Sequence, residues 1–268
     1  MKNKILIFFI LVSTILLKYN PIYLRIESEQ QKAIVIGATS GIGNALTKVL
    51  LEKGYIVGAT GRRINLLDDL KNNYADIFYT KQMDITKTED AIKSFNELVQ
   101  KMNGVDVVVI NAGVGFVNPD LDLDKELQTI AVNVTGFVAM ANVAYKYFEQ
   151  RKSGHLVGVS SIAGLISNSI VPAYSASKAF EINYLNSLRA KTCKDNLPIT
   201  ITEILPGFVD TKMINKEEAF WVATPEEAAK QIYGAIINKK NKAYITKRWA
   251  LVAWVLKFIP YSILNRFL

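Results

Sequence analysis

The chain has 268 residues and is 50% hydrophobic, enough apolar material for one large α/β domain with a well-buried core. A single cysteine, Cys193, excludes an intramolecular disulfide framework, and we expect it to be a packing residue. A single histidine, His155, excludes most mechanisms that depend on imidazole. So few thiols and imidazoles also argue against a structural zinc site, so no metal is expected.

The formal net charge of +8 is concentrated at the two ends of the chain. Residues 1–26 and 239–268 together carry eleven Lys and Arg and no acidic residue, so the body between them has a formal charge of −3. This pattern favours contact with an anionic membrane surface over a nucleic-acid groove, because no basic face runs through the body. We therefore expect no nucleic-acid partner.

Strand-like and helix-like segments alternate along the chain. Strands are predicted at residues 32–37, 55–60, 76–84, 105–111, 155–161, 199–205 and 243–246. Helices are predicted at residues 42–54, 65–72, 87–102, 122–150, 174–191 and 224–236. The last helix should begin with Thr224 as its N-cap, Pro225 in its first turn and Glu227 completing a capping box.

Near-continuously hydrophobic strands that alternate with helices are typical of a parallel sheet covered on both faces. The fold class is therefore predicted to be α/β, a doubly wound Rossmann-type sheet of about seven strands. No repeat, linker or composition break interrupts residues 31–246, so they are predicted to form one domain. Residues 1–30 and 247–268 are predicted to be flanking segments.

The first predicted strand runs directly into GATSGIG, which holds Gly37, Gly41 and Gly43 and leads into a helix. Glycines at this place let the backbone turn tightly and approach a pyrophosphate, whose charge then lies at a helix N-terminus. The second strand ends in Arg62 and Arg63 and lacks the acidic residue that hydrogen-bonds the ribose of NAD. Guanidinium groups favour a 2′-phosphate, so NADP is predicted and NAD is disfavoured.

Five motifs then agree in order and spacing: GATSGIG, INAG at residues 110–113, a serine, YSASK at residues 174–178, and PG. In these motifs the chain is similar to the short-chain dehydrogenase/reductase family, over nearly all of residues 31–225. Within that family it resembles the shorter NADP-dependent members. Ile36 and Ile110 stand where the family often has Thr and Asn, but both positions support loops and take no part in chemistry.

The resemblance, together with the two arginines, implies a full set of site residues. The implied catalytic residues are Asn133, Ser161, Tyr174 and Lys178. The implied cofactor-binding residues are Gly37, Thr39, Ser40, Gly41, Ile42, Gly43, Arg62, Arg63, Asp84, Ile85, Asn111, Ala112, Gly113, Tyr174, Lys178, Pro206, Gly207, Val209 and Thr211. Among these, Asp84 would contact the adenine amino group, and the segment from Pro206 would lie against the nicotinamide.

The resemblance also implies the reaction, hydride transfer between NADPH and a carbonyl or alcohol substrate. A free phenol has a pKa near 10, and a nearby positive charge favours the phenolate, which brings proton exchange toward working pH. Tyr174 would thus be the general acid or base, with Lys178 as its charged neighbour and ribose contact. Ser161 would hydrogen-bond the substrate oxygen, and Asn133 would hold a water that links Lys178 to solvent.

The substrate side is less informative than the cofactor side. Residues 208–224 are expected to form a mobile lid, in which Met213, Phe220 and Trp221 indicate an apolar pocket. Such lids cover many substrates, so a lipid ketone, a sugar-like carbonyl and a small carbonyl all stay open.

Both ends of the chain are apolar and basic, and each has two interpretations. Residues 5–17 form an uncharged apolar run behind Lys2 and Lys4, which fits a membrane anchor or an extension from an upstream start. Residues 248–268 mix aromatic and basic residues, which fits a helix lying on a bilayer or a surface buried between subunits of a homo-oligomer. Because NADPH is needed, the body is expected in the cytoplasm, with any membrane contact at the cytoplasmic face.

Plainer interpretations stand beside the catalytic one. The glycine-rich loop could be a structural turn, the two arginines could be solvated, and Ser160 could take the place of Ser161 in a shifted register. A non-catalytic NADP-binding regulator, or a membrane-tethering protein on the same fold, would leave the implied set of Asn, Ser, Tyr and Lys unused.

Overall fold

The structure, a computed structural model, describes residues 30–211, 219–256 and 258–259. The chain divides into two units, Met1–Gln30 and Gln31–Leu268, and the sheet with its helices belongs to the second. The predicted N-terminal anchor, residues 212–218 of the predicted lid including Met213, and the last residues of the C-terminal segment lie outside the described residues.

Seven parallel strands form one sheet in the order β3-β2-β1-β4-β5-β6-β7. Their bounds are β1 Lys32–Ile36, β2 Ile56–Gly61, β3 Phe78–Gln82, β4 Val107–Ile110, β5 Gly154–Val159, β6 Ile199–Pro206 and β7 Lys242–Ile245. The order reverses between β1 and β4, which places a crevice at the carboxyl ends of these two strands. The predicted fold class is confirmed.

Helices lie on both faces of the sheet. Their bounds are α1 Gly41–Glu52, α2 Asp68–Asn73, α3 Thr88–Lys101, α4 Leu123–Ile130, α5 Phe137–Arg151, α6 Pro172–Lys194, α7 Pro225–Ile237 and α8 Trp249–Leu256. A π-helical turn, Ala131–Gly136, joins α4 to α5, and short 3₁₀ helices occupy Ile64–Leu67 and Ile162–Leu165. The single long helix predicted at residues 122–150 therefore contains a wider turn, and π turns often occur at functional sites.

The sheet separates two apolar layers of the core. One layer packs α1 and α7 on the sheet through buried residues such as Leu46, Leu50 and Ile232. The other packs α3 and α5 on the opposite face through Phe95 and Phe148, both fully buried. Each such side chain stabilises the fold by about 1.5–3 kcal/mol, so the two layers fix the sheet on both sides.

The segment Leu123–Arg151 is long and apolar enough to cross a membrane by length and composition, and is the one such helix among the described residues. Core helices of water-soluble domains pass the same test. In this chain Phe137, Met140 and Phe148 are fully buried in the core layer that contains α3. The apolar character of the helix is thus explained by packing within the domain.

Local capping signals are reproduced in part. The Thr224 hydroxyl accepts a hydrogen bond from the Glu227 backbone N–H at 3.0 Å, as an N-cap should. The Glu227 carboxylate instead accepts from Gln231 Nε2 at 3.3 Å, so the structure contains half of the predicted capping box. The predicted C-terminal segment contains the helix α8. Its first residue, Trp249, is 2% exposed.

Candidate active site

The glycine-rich loop between β1 and α1 has almost no room for side chains. A Cβ on Gly37, where φ is +89°, would lie 2.5 Å from the Ala112 backbone nitrogen. A Cβ on Gly43 would lie 2.1 Å from the Gly37 carbonyl oxygen. The Asn111 side-chain amide donates to that same carbonyl at 2.9 Å, which fixes the loop to the end of β4. The glycines therefore serve close backbone approach, as the motif predicts.

The loop leads into the N-terminus of α1, a helix of twelve residues with no acidic residue in its first turn. Its N-cap, Ser40, makes no side-chain hydrogen bond to the helix. The unpaired N–H groups and the helix dipole make such a terminus favourable for an anion. These features fit the pyrophosphate of a dinucleotide.

Two arginines follow β2, and one of them contacts the glycine-rich loop. Arg62 and Arg63 are both exposed, and Arg63 Nη2 donates to the Ser40 hydroxyl at 3.0 Å. The Arg62 carbonyl accepts from Gln82 Nε2 at 3.0 Å, which ties this loop to β3. This contact holds the Arg63 guanidinium beside the glycine-rich loop, where its charge is available to an anion.

Asp84 follows β3 and is held by its own loop. Its Oδ1 accepts from the Thr86 backbone N–H at 3.0 Å and from the Thr86 hydroxyl at 2.8 Å. Partial burial raises the pKa of Asp84, but these two hydrogen bonds, with the charges of Arg62 and Lys87, outweigh it and lower the pKa overall. Asp84 is thus ionised at neutral pH. Its neighbour Ile85 is buried against Gly136.

Tyr174 and Lys178 lie one turn apart on α6, which begins at Pro172, two residues earlier than predicted. Lys178 Nζ is 5.8 Å from the centre of the Tyr174 ring. The ring packs on Gly115, where a Cβ would lie 2.7 Å from Tyr174 Cδ2. Gly115 was not among the predicted site residues, and its only sequence signal is its place two residues after the INAG motif.

The ammonium of Lys178 is buried, and all three of its protons have acceptors. It donates to both carboxylate oxygens of Glu181 at 2.9 Å and to the Val159 carbonyl at 3.3 Å. Lys178 is 3% exposed and Glu181 is fully buried. Sequence reasoning missed Glu181, although an acidic residue three positions after a lysine on one helix is a recognisable pairing signal.

Burial of the Glu181 carboxyl opposes its ionisation. Desolvation raises the pKa of Glu181 to about 7, against the charge of Lys178 and the hydrogen bonds from its ammonium, which lower it. Lys178 and Glu181 therefore form a buried pair in which the carboxyl is protonated more easily than an exposed glutamate would be.

The two serines after β5 have different surroundings. The Ser160 hydroxyl donates to the Lys178 carbonyl at 2.9 Å, so it is engaged by the backbone of α6. The Ser161 hydroxyl accepts from the Ala163 backbone N–H at 3.1 Å and lies 3.5 Å from the Pro206 carbonyl. Ser161 therefore faces the segment implied to border the nicotinamide, whereas Ser160 supports the helix that carries Tyr174.

Asn133 lies in the π turn and connects two parts of the site. Its Oδ1 accepts from the Val114 backbone N–H at 2.9 Å, and its Nδ2 donates to the Val114 carbonyl at 2.7 Å and to the Ser177 hydroxyl at 3.0 Å. The side chain thus fastens the loop after β4 to α6. The predicted link through water between Asn133 and Lys178 stays a prediction.

The segment after β6 contacts both the phosphate loop and the C-terminal helix. A Cβ on Gly41 would lie 3.0 Å from Thr211 Cγ2, and a Cβ on Gly207 would lie 2.1 Å from Trp249 Nε1. Val209 forms a parallel bridge with Ala223, which closes the base of the predicted lid.

An aromatic cluster surrounds this segment. It consists of Phe208, Phe220, Trp221 and Trp249, with ring centres between 5.1 and 5.7 Å apart in the contacting pairs. Two of its members, Phe220 and Trp221, were predicted to line an apolar pocket, and the structure adds Trp249 from α8 to them.

His155 and Cys193 lie away from these residues. His155 lies in β5, as predicted, with its Nε2 2.7 Å from the Thr202 hydroxyl. That hydroxyl donates to the Lys240 carbonyl, so the imidazole must be the Nε2–H tautomer and donate to Thr202. Burial lowers the pKa of His155 to about 4, so it is neutral at pH 7. Cys193, expected to be a packing residue, is exposed near the end of α6, so that prediction is wrong.

Comparison with known proteins gives matches along most of the chain. Residues 31–220 match the family model described as short chain dehydrogenase. The chain is 35% identical to an uncharacterized oxidoreductase of Myxococcus xanthus over 192 residues, which are 70% of this chain and 75% of the relative. It is 32% identical to a probable NADP-dependent dehydrogenase of Haemophilus influenzae over 65% of this chain and 70% of the relative.

A solved structure shares the fold over most of the chain. The closed form of a serine dehydrogenase complexed with NADP+ superposes with a TM-score of 0.71 and 25% sequence identity. The match covers 80% of this chain and 94% of the serine dehydrogenase chain.

Proposed function

The chain belongs to the short-chain dehydrogenase family, and from this premise we propose that it is an NADP(H)-dependent oxidoreductase that interconverts a carbonyl and an alcohol. The observation that carries the proposal is the convergence of a glycine loop, a cationic β2 end and the Tyr174–Lys178 pair at one edge of the sheet. When bound, the nicotinamide cofactor would supply or accept the hydride.

NADP is proposed over NAD because of charge at the end of β2. Arg63 contacts Ser40, the N-cap of α1, so its guanidinium lies beside the loop that would hold the pyrophosphate. No acidic residue lies between the end of β2 at Gly61 and Asp68, so nothing there would repel a 2′-phosphate. The names of the Haemophilus relative and of the serine dehydrogenase complex, both of which mention NADP, also support this choice.

In this proposal the protein positions the substrate and moves one proton. The Tyr174 phenol gives a proton to the substrate oxygen in reduction and takes it back in oxidation. Ser161 donates a hydrogen bond to the same oxygen and stabilises the charge that develops on it. Lys178 provides the positive charge beside the phenol. Asn133 holds the loop after β4, on which the Tyr174 ring packs.

We also propose that α8 lies on an anionic membrane surface. Leu251 and Trp254 on its outer face, and Phe258 just after its end, are each more than half exposed, and Lys247 and Arg248 precede it. Aromatic and apolar residues next to cations suit the interface of a bilayer. Pelleting with phosphatidylserine vesicles, lost when residues 247–268 are deleted, would support this; a change of oligomeric state on that deletion would favour a subunit interface instead.

The main experiment is a panel of carbonyl substrates with NADPH and of alcohols with NADP+, followed by absorbance of the reduced cofactor. Turnover of at least one class, faster with NADP(H) than with NAD(H), is expected. Tight NADPH binding without turnover of any panel member would favour the non-catalytic regulator or tethering protein.

The decisive variant is Tyr174→Phe, with Tyr184→Phe on the same helix as its matched control. Loss of the proton donor should lower kcat about 10²–10⁴-fold, because that is the usual contribution of general acid–base catalysis. NADPH affinity should stay unchanged in both variants, and Tyr184→Phe should keep its kcat. An active Tyr174→Phe variant would refute the assigned role.

A further inference from the structure

Glu181 carries an inference that goes beyond the proposed reaction. It is a fully buried carboxylate on α6, one turn after Lys178, and the proposed chemistry has no use for it. A carboxylate that is removed completely from water is costly unless its partner has good geometry. Here the geometry is good, because both carboxylate oxygens lie 2.9 Å from the Lys178 ammonium.

The pair places opposite charges on one side of the proposed proton donor. Lys178 Nζ lies 5.8 Å from the centre of the Tyr174 ring, close enough for its charge to stabilise a phenolate. The carboxylate of Glu181 is bonded directly to that ammonium, so the pair as a whole is close to neutral. A nearby phenol therefore experiences much less than a full positive charge.

The groups that face the pair from the other elements are neutral. Val159 ends β5 and Ser160 follows it, and Gly113 comes from the loop after β4. Among the residues that the structure describes, Tyr174 is the one titratable residue besides Lys178 and Glu181 themselves that lies against this pair. The electrostatic environment of the phenol is therefore set mainly by Lys178 and Glu181.

We propose that Glu181 is a positioning residue that holds the Lys178 ammonium and moderates the stabilisation which this charge gives to a Tyr174 phenolate. The bond to the Val159 carbonyl, at 3.3 Å, is the longest of the three that the ammonium makes. A hydroxyl of a bound ribose could replace this bond while both bonds to Glu181 persist. Glu181 thus leaves one proton of Lys178 for the cofactor and fixes the direction in which it points.

The test is the pH dependence of kcat/KM for the oxidation direction, in which the phenolate form acts as base. This test rests on the proposed function. Above pH 7 Glu181 is ionised, so Glu181→Gln removes a full negative charge there and should shift the acidic limb of the profile about one unit lower. Glu181→Asp keeps the charge but withdraws it by one methylene, and should give a smaller shift in the same direction.

The matched control is Glu203→Gln. Glu203 is also a fully buried carboxylate paired with a lysine, Lys242 at 3.2 Å, but it lies in β6 and belongs to a different ion pair from Lys178. Its replacement should leave the midpoint of the profile in place. If the Glu181→Gln variant does not fold, the shift of the kcat/KM profile in the Glu181→Asp variant tests the proposal. A midpoint unchanged in the Glu181 variants, or moved equally by Glu203→Gln, would overturn the proposal.

A second readout works without any substrate. The ionisation of the Tyr174 phenol can be followed as the phenolate absorbance of each protein minus that of the same protein with Tyr174→Phe. The midpoint should fall in the order wild type, Glu181→Asp, Glu181→Gln. If the wild type turns over no substrate but this order is found, the proposed reaction fails and the role of Glu181 stands. If the enzyme is active but the midpoint is the same in all three proteins, the reaction stands and the role of Glu181 fails.

Discussion

Gly43 and Gly234 show how differently two glycines of one chain can be constrained. A Cβ on Gly43 would lie 2.1 Å from a backbone oxygen and 2.5 Å from Asn111 Nδ2, whereas a Cβ on Gly234 would meet nothing within 4 Å. The first glycine is required by the close approach of loop and strand. The second only costs conformational entropy in the interior of α7.

We therefore predict opposite effects of the same substitution at these two positions. Gly43→Ala should weaken NADPH binding at least about tenfold and lower stability, because the loop must move to make room. Gly234→Ala should raise the free energy of unfolding by about 0.5–1 kcal/mol and leave binding unchanged. Urea unfolding and NADPH titration measure both effects, and a tolerated Gly43→Ala would contradict the tight cradle.

Arg63 is the cation that contacts the phosphate loop, through its bond to Ser40 at 3.0 Å. We predict that Arg63→Ala raises the Kd for NADPH about tenfold or more and leaves that for NADH nearly unchanged, because a charge-assisted contact with the 2′-phosphate is lost. Arg62→Asp should also weaken NADPH relative to NADH. The control is Lys71→Ala, an exposed cation on α2. An equal rise in the Kd for NADPH and for NADH would show that Arg63 does not contact the 2′-phosphate.

Among the helices, α8 is anchored by one side and exposed on the other. Trp249 is 2% exposed within the aromatic cluster, while Trp254, five residues later, is 59% exposed. Arg248 strengthens the anchor because its Nη2 donates to the Trp221 carbonyl at 3.0 Å. The helix thereby joins the predicted lid to the segment after β6.

Two tryptophan substitutions in α8 should separate these sides. Trp249→Ala should lower the free energy of unfolding by about 3–5 kcal/mol, because it leaves a cavity beside Phe208 and Phe220. Trp254→Ala should change it by less than about 0.5 kcal/mol and should instead reduce vesicle binding. Similar losses of stability in the two variants, measured by urea unfolding, would show that α8 is not anchored through Trp249.

For the molecule as a whole, two buried groups make stability depend on pH in opposite directions. The folded pKa of His155 is about 4, below its ordinary 6.5, so acidification through this window protonates the unfolded chain first and destabilises the fold. The folded pKa of Glu181 is about 7, above its ordinary 4.5, so acidification through that window protonates the folded chain first and stabilises it. The two contributions offset each other between pH 4.5 and 6.5.

Replacing either residue should therefore reveal the contribution of the other to the pH dependence of the free energy of unfolding. Between pH 7 and pH 5, Glu181→Gln should lose more stability than the wild type, and His155→Gln should lose less, each by about 1–2 kcal/mol. Free energies of unfolding in urea at the two pH values give the comparison. Changes of the same sign in both variants would contradict the assignment.

Much of the fold and of the candidate site was predictable because its signals are local. Apolar runs, helix periodicity and glycine spacing indicated every strand of the sheet, with ends displaced by a few residues. The same local patterns named the loop at Gly37–Gly43 and the Tyr174–Lys178 turn. Family resemblance supplied Ser161 and Asn133, whose surroundings only the structure describes.

The amino-acid sequence alone determined the fold class, the family and the positions of the motifs, because these depend on neighbours along the chain. The tertiary structure decided which side chains meet across elements: Arg63 with Ser40, Asn133 with Val114 and Ser177, and Trp249 with Gly207. It also decided that Glu181 is buried against Lys178 and that Cys193 is exposed. Burial and contacts between different elements depend on how the helices pack on the sheet, which no local pattern of residues specifies. The spacing of Lys178 and Glu181 allows them to pair, but it does not tell whether the pair is buried.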